Sequence, residues 1–188
     1  MPGHAAASRV LAERDPALAA LVARHGPMRL PPPPPVAGRF AALARNIVYQ
    51  QLAGRAAAAI WGRTQLLVGD HPFTPEALRD LAAKVADGTV RLSRLGRLTD
   101  DEVVAELTQV RGIGPWTAHM FLMFQMHRLN VWPTGDYGVR NGYQRTWGLP
   151  AMPTPRELEA LGEPFRPYRS VAAWYCWRAV DGLVTPAD

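Results

Sequence analysis

The chain has little of several things that would open other chemistries. It carries one cysteine, Cys176, which excludes an internal disulfide, a zinc ribbon and a four-cysteine iron–sulfur site. Lys84 is its single lysine, so only one side-chain amine is present for Schiff-base chemistry. Its five histidines show no metal-ligand spacing. His119 and His127 lie about two helical turns apart with no acid partner, so neither a metal nor a cofactor is expected. No apolar run is long enough to cross a bilayer, and the N-terminus lacks the basic-then-apolar pattern of a signal peptide. The expectation is a cytoplasmic protein with no membrane partner. No strand-period segment exceeds a few residues, and no internal repeat is visible.

What is present reads as helical almost throughout. With 188 residues, 48% of them apolar, the chain fits one compact domain or two small lobes. Its net charge of +5 is carried almost wholly by arginine. That favours a polyanionic partner, although it also matches the arginine usage of a GC-rich genome. Asp15 and Pro16 open a short helix that stops at Gly26. Pro31 to Pro35 form a stiff extended spacer. Phe40, Leu43, Ala44, Ile47 and Val48 repeat at helical spacing, and a second helix is predicted over 55–68. Another runs from Thr74-Pro75 to Asp87-Gly88. Capping boxes at Thr99/Glu102 and Thr154/Glu157 start two more. Pro115 opens a helix to about Met126, Asp136 begins one closed by Gly148, and a last helix covers 167–180. The fold class is all-α. The expected division is a helical extension and Pro-rich linker over 1–36, followed by the main domain over 37–188.

Two pieces of that domain carry the chemical signal. The first is Leu107-Thr-Gln-Val-Arg-Gly-Ile-Gly-Pro-Trp-Thr-Ala118, a Gly-x-Gly hairpin between two apolar-periodic segments. Gly112 and Gly114 permit positive φ and remove side chains where a backbone must come close. Amides ahead of a helix N-terminus bind a phosphate without reading a base. The plain alternative is a tight helix–helix turn. Against it stand the apolar spacing of Leu107, Val110 and Ile113, and Ala118 four residues after the second glycine. The second piece is Trp132-Pro-Thr-Gly-Asp-Tyr137, a loop ending in a lone acid at a helix start. Its plain alternative is a simple N-cap.

Taken with Leu43-Ala-Arg-Asn-Ile-Val-Tyr-Gln-Gln-Leu52, Pro133-Thr-Gly-Asp-Tyr-Gly-Val-Arg140 and Arg166-Pro-Tyr-Arg-Ser-Val-Ala-Ala-Trp-Tyr-Cys-Trp177, the chain resembles the helix-hairpin-helix (HhH-GPD) DNA glycosylases. Within them it is similar to the alkylbase branch, the 3-methyladenine DNA glycosylase II type. The resemblance implies a two-lobed helical fold with a DNA cleft, the hairpin over 107–127 and the catalytic loop over 131–137. It also implies a monomer acting on damaged double-stranded DNA near the bacterial nucleoid.

By this resemblance Asp136 is the catalytic carboxylate, which stabilises an oxocarbenium-like transition state. Trp116 occupies the position where bifunctional relatives hold a lysine. A monofunctional hydrolase without lyase activity follows, one that releases alkylated purines by base flipping in base excision repair. Trp116, Trp177, Tyr137 and Met120 are the expected base pocket, where electron-rich rings attract a cationic base. Gly112, Ile113, Gly114, Thr117 and Arg169 are expected at the DNA. Gln50 and Gln51 lie in the loop that fills the gap left by a flipped base, with Gln51 or Leu52 as the wedge. Arg111, Arg140, Arg145 and Arg166 are further phosphate candidates.

The chain departs from the family pattern around 73–88, where two segments are fused and the first lobe is shortened. Tyr49 and Gly54 also replace expected small or polar residues. The N-terminal β-domain of some members is not expected here, since only about forty residues precede the Phe40 helix. The competing reading is a catalytically weak or inactive damage-binding protein on the same fold. A structural helical protein is a weaker third reading.

Overall fold

The structure, a computed structural model, describes residues 3–49 and 75–181. The predicted helix over 55–68, and Gln50, Gln51 and Leu52, lie outside the described residues. All regular elements among the described residues are helical, and none of these helices is long and apolar enough to cross a membrane. In order they are α1 (His4–Arg14), α2 (Pro16–His25), α3 (Arg39–Tyr49), α4 (Pro75–Ala86), α5 (Asp100–Leu107), α6 (Pro115–Phe124), α7 (Tyr137–Trp147), α8 (Pro155–Leu161) and α9 (Arg169–Asp181). They group into two compact units, one of residues 1–32 with 127–188 and one of 33–126.

In the first unit α9 is the central element. It packs on α7, α2 and α1, and its buried face carries Val171, Ala172, Ala173, Tyr175 and Cys176. The Tyr175 hydroxyl donates to the Gly26 carbonyl (2.8 Å), tying α9 to the end of α2. Asp15 caps α2 as its sequence suggests, accepting from the Ala17 and Leu18 amides. Its other oxygen accepts from Trp147 Nε1 (2.9 Å), so one cap also fixes the end of α7. Trp147 stacks on Tyr143 (4.2 Å), and Phe165 and Trp132 close that aromatic cluster.

In the second unit α3 packs on α4 and α6, and α5 on α6. Leu43, Ala44, Ile47, Leu81, Val103, Leu107, Phe121 and Leu122 are buried. The Thr99/Glu102 capping box forms as expected, with acids at Asp100 and Asp101 facing the positive end of α5. Glu106, almost wholly buried, accepts from the Arg91 amide (2.6 Å) and the Arg94 guanidinium (3.1 Å). A buried carboxylate needs such partners. It anchors the loop before α5 at the point where α5 enters the hairpin.

Candidate active site

The hairpin between α5 and α6 is held from inside by Leu107, Val110 and Ile113, all buried. Gly112 adopts φ +82°, a backbone that an L side chain rarely takes. Gly114 does not: at φ −90° and ψ 174° it is extended and serves as the N-cap of α6. Its glycine is not required by backbone conformation. A Cβ there would meet nothing within 4 Å, so what the glycine contributes is open space over a helix N-terminus. The Ile113 amide donates to Val110 O (3.0 Å) and the Arg111 amide to Asp80 Oδ2 (2.7 Å). The amides of the exposed Gly112 and Gly114 donate to no acceptor among the described residues.

Two of the residues expected at the DNA, Ile113 and Thr117, have buried side chains, both 3% exposed. Helical periodicity turns the Thr117 side chain toward the same side as buried Ala118 and Phe121. Trp116, on the outer side, is 46% exposed, and Met120 is half-buried.

The carboxylate loop belongs to the other unit. Val131, Trp132 and Pro133 are buried, and Trp132 Nε1 donates to Leu158 O (2.7 Å). Ser170 Oγ accepts from the Val131 amide (2.9 Å) and donates to Arg128 O (2.7 Å). The start of α9 is thus stitched to the loop that leads into Asp136. Asp136 caps α7: its Oδ1 accepts from the Val139 amide (2.8 Å) and from Trp177 Nε1 (2.9 Å). A carboxylate at a helix N-terminus lies in the favourable end of the helix dipole. Tyr137, the first residue of α7, is 66% exposed.

Two glycines that sequence reasoning passed over set this geometry. A Cβ on Gly142 would land inside the backbone carbonyl of Cys176, so α7 and α9 touch through bare backbone. One turn earlier, a Cβ on Gly138 would lie 2.7 Å from Trp177 Cδ1 and 3.2 Å from Asp136 Oδ1. The signal was present in the sequence as two glycines four residues apart, directly after the acid. Glycine inside a helix costs stability, so a packing reason is expected for each. Cys176 itself is fully buried. Burial, and then the nearby Asp136 charge, pushes its thiol far above the ordinary value, which leaves no reactive thiolate here.

The candidate arginines are engaged within the protein. Arg169 Nε bonds Asn130 Oδ1 (3.1 Å) and Nη1 bonds Glu159 (3.0 Å), with only 11% of its side chain exposed. Through Asn130 it braces the 128–131 loop. Arg111 pairs with Glu76 (2.8 Å), Arg140 donates to Pro153 O, Arg145 to Asn141, and Arg166 to Glu163. No group of three histidine, cysteine or acidic residues is placed to hold a metal ion among the described residues.

No family model matches the chain. Over 159 residues it is 33% identical to DNA-3-methyladenine glycosylase 1 of Schizosaccharomyces pombe, covering 72% of this chain and 70% of that one. It is 35% identical over 102 residues to a putative DNA-3-methyladenine glycosylase of Bacillus subtilis, covering 54% of this chain and only 36% of that protein. The solved structure of a Schizosaccharomyces pombe 3-methyladenine DNA glycosylase in complex with abasic DNA superposes with a TM-score of 0.79 at 28% identity, over 93% of this chain and 96% of that one. An all-helical chain with this hairpin, this capped carboxylate and these relatives belongs to the DNA-3-methyladenine glycosylase family of helix-hairpin-helix proteins.

Proposed function

We propose that the chain is a monofunctional DNA glycosylase that hydrolyses the N-glycosidic bond of alkylated purines of the 3-methyladenine type. The observation that carries this reading is Asp136. Its carboxylate is capped on α7 and hydrogen-bonded by the Trp177 indole, in a chain whose relatives are named for that activity.

An N-alkylated purine already bears positive charge, so it departs without a strong general acid. The bond from C1′ to the base nitrogen breaks, its electron pair goes to the base, and the base leaves neutral. The sugar is left as an oxocarbenium-like cation, which the anionic Asp136 stabilises electrostatically. Water adds at C1′ and loses a proton, giving an abasic site. The target base must first leave the duplex stack. Exposed Trp116 and Tyr137 offer aromatic faces for a cationic base, each contact worth roughly 0.5–2 kcal/mol. Trp177 and Met120 are the other base-contact residues that the resemblance assigns. The amides of Gly112 and Gly114 take a phosphate of the backbone. The wedge that fills the vacated stack is assigned to Gln51, with Leu52 as the alternative.

The monofunctional reading is supported by the state of the only lysine. Lys84 Nζ is held by Asp80 Oδ2 (2.6 Å) and Gln109 O (2.7 Å), an ammonium engaged in structure rather than a nucleophile. The same reading has the protein act as a monomer, in the cytoplasm, on nucleoid DNA.

The test is an excision assay with a panel of damaged duplexes. Release of methylated purine from alkylated DNA, with no covalent adduct on borohydride trapping, is the expected result. An adduct would contradict the hydrolytic mechanism. Binding to abasic-analogue DNA without release of any base would make the chain a damage-binding protein instead.

A further inference from the structure

Helix α4 lies along the hairpin, and four of its residues on one face meet it. Glu76 pairs with Arg111, and Ala77 Cβ lies 3.2 Å from where a Gly112 Cβ would sit. Asp80 Oδ2 accepts both the Arg111 amide (2.7 Å) and Lys84 Nζ (2.6 Å), and Lys84 Nζ donates onward to Gln109 O (2.7 Å). The spacing of 76, 77, 80 and 84 is that of one helical stripe. The stripe grips residues 109, 111 and 112 at three successive heights.

We propose that Asp80 and Lys84 are positioning residues for DNA binding: together they clamp the hairpin backbone so that the Gly112 and Gly114 amides are pre-set for a phosphate. This rests on the reading of the hairpin as a phosphate grip given above. The allocation of amides is the reason. Of the four residues 111 to 114, Arg111 donates to Asp80 and Ile113 to Val110, and these alternate with the two glycines, whose amides donate to no described acceptor. A glycine-rich turn is otherwise a flexible one, and ordering it on binding would cost affinity. The clamp removes that cost beforehand. The Lys84 ammonium, and after it the Arg111 amide, hold the Asp80 carboxyl below the usual carboxylate range. The Asp80 carboxylate is therefore favoured in its charged form. An acid beside a phosphate site is otherwise a liability, since its charge repels DNA. Here Lys84 neutralises it, which gives the chain's one lysine a definite task.

That liability makes the proposal testable by sign. Deleting an acid from a DNA-binding surface should, on charge alone, tighten binding. The clamp predicts the reverse. Affinity for a duplex bearing an abasic-site analogue would be measured by fluorescence anisotropy for the full chain, Asp80→Ala, Asp80→Asn and Arg79→Ala. Melting temperature and the single-turnover excision rate at saturating enzyme would be followed alongside. The expected result is roughly tenfold weaker binding by Asp80→Ala, a smaller loss by the isosteric Asp80→Asn, and an excision rate at saturation within about twofold of the parent. Arg79→Ala, on the same helix but exposed, shows the size of a single-charge effect of the opposite sign and should weaken binding by no more than about twofold. Binding by Asp80→Ala as tight as the parent or tighter would overturn the clamp and leave the glycosylase reading intact. If Asp80→Ala does not fold, Asp80→Asn decides by the same criterion. If the parent chain itself neither binds this DNA nor releases base, the phosphate-grip reading fails and the clamp falls with it.

Discussion

The hairpin and the carboxylate differ in what holds their exposed side. Asp136 is fixed by packing: Gly138 and Gly142 let α7 meet α9 at bare-backbone distance, and neutral donors from Val139 and Trp177 set the oxygen. The hairpin, packed from inside by Leu107, Val110 and Ile113, is gripped on its outer side by charge: the part-exposed Asp80–Lys84 pair and the exposed Glu76–Arg111 pair hold it from α4. Packing contacts are short-ranged and rigid, whereas exposed ion pairs are weak and screened by salt. A group that must meet a transient sugar cation tolerates little displacement. A loop that grips a uniform polyanion needs only a fixed set of amides. Geometry should therefore govern the chemical step and electrostatics the affinity.

The largest expected effect comes from breaking the packed side. Gly142→Ala places a methyl group into the Cys176 carbonyl, backbone against backbone, and should destabilise by about 3 kcal/mol or more. Thermal unfolding would show it. Gly138→Ala is the sharper variant, because its methyl meets a side chain that can move. Trp177 would be displaced from Asp136, and the single-turnover excision rate should fall on the order of a hundredfold with DNA affinity nearly unchanged. Full activity in that variant would show that the Trp177 contact does not set the carboxylate. Trp177→Phe keeps an aromatic ring but removes the N–H together with part of the indole's bulk; a loss of roughly tenfold in rate is expected. On the charged side, raising salt should weaken DNA binding steeply while the rate at saturation hardly moves.

The smallest effect involves neither. His4 and His127 meet edge to face (5.2 Å), each with a buried Nε2 that has no hydrogen-bond partner among the described residues. Burial lowers the pKa of each, and the His127 charge adds to the shift at His4. Below their ordinary value of 6.5 the unfolded chain takes up protons that the folded chain refuses. Stability is thus full above that pH and declines as pH falls through the depressed folded values. Melting temperature should drop from pH 7 to pH 5, and His4→Gln should flatten part of the slope.

What the sequence made legible was local. The caps at Asp15, Thr99, Thr154 and Asp136 and the left-handed stops at Gly26 and Gly148 are written in adjacent residues, and all form. Helix α1 was missed because His4-Ala-Ala-Ala-Ser8 buries small residues and shows no apolar stripe. Asp80 and Lys84 look like an ordinary solvated pair four residues apart; that they reach Arg111 and Gln109 is a tertiary fact. Gly138 and Gly142 look like weak points in a helix until α9 is laid against them. Asp136 could be named from its loop, but the indole that bonds its oxygen lies 41 residues further on.

The central claim is that Asp136 makes the protein a catalyst rather than a DNA holder. The direct test compares the parent chain and Asp136→Asn in one experiment, with methylated-base release and abasic-analogue binding measured on the same preparations. Release by the parent, a loss on the order of a hundredfold or more in the variant, and binding retained by both are expected. Equal release by Asp136→Asn would contradict that claim.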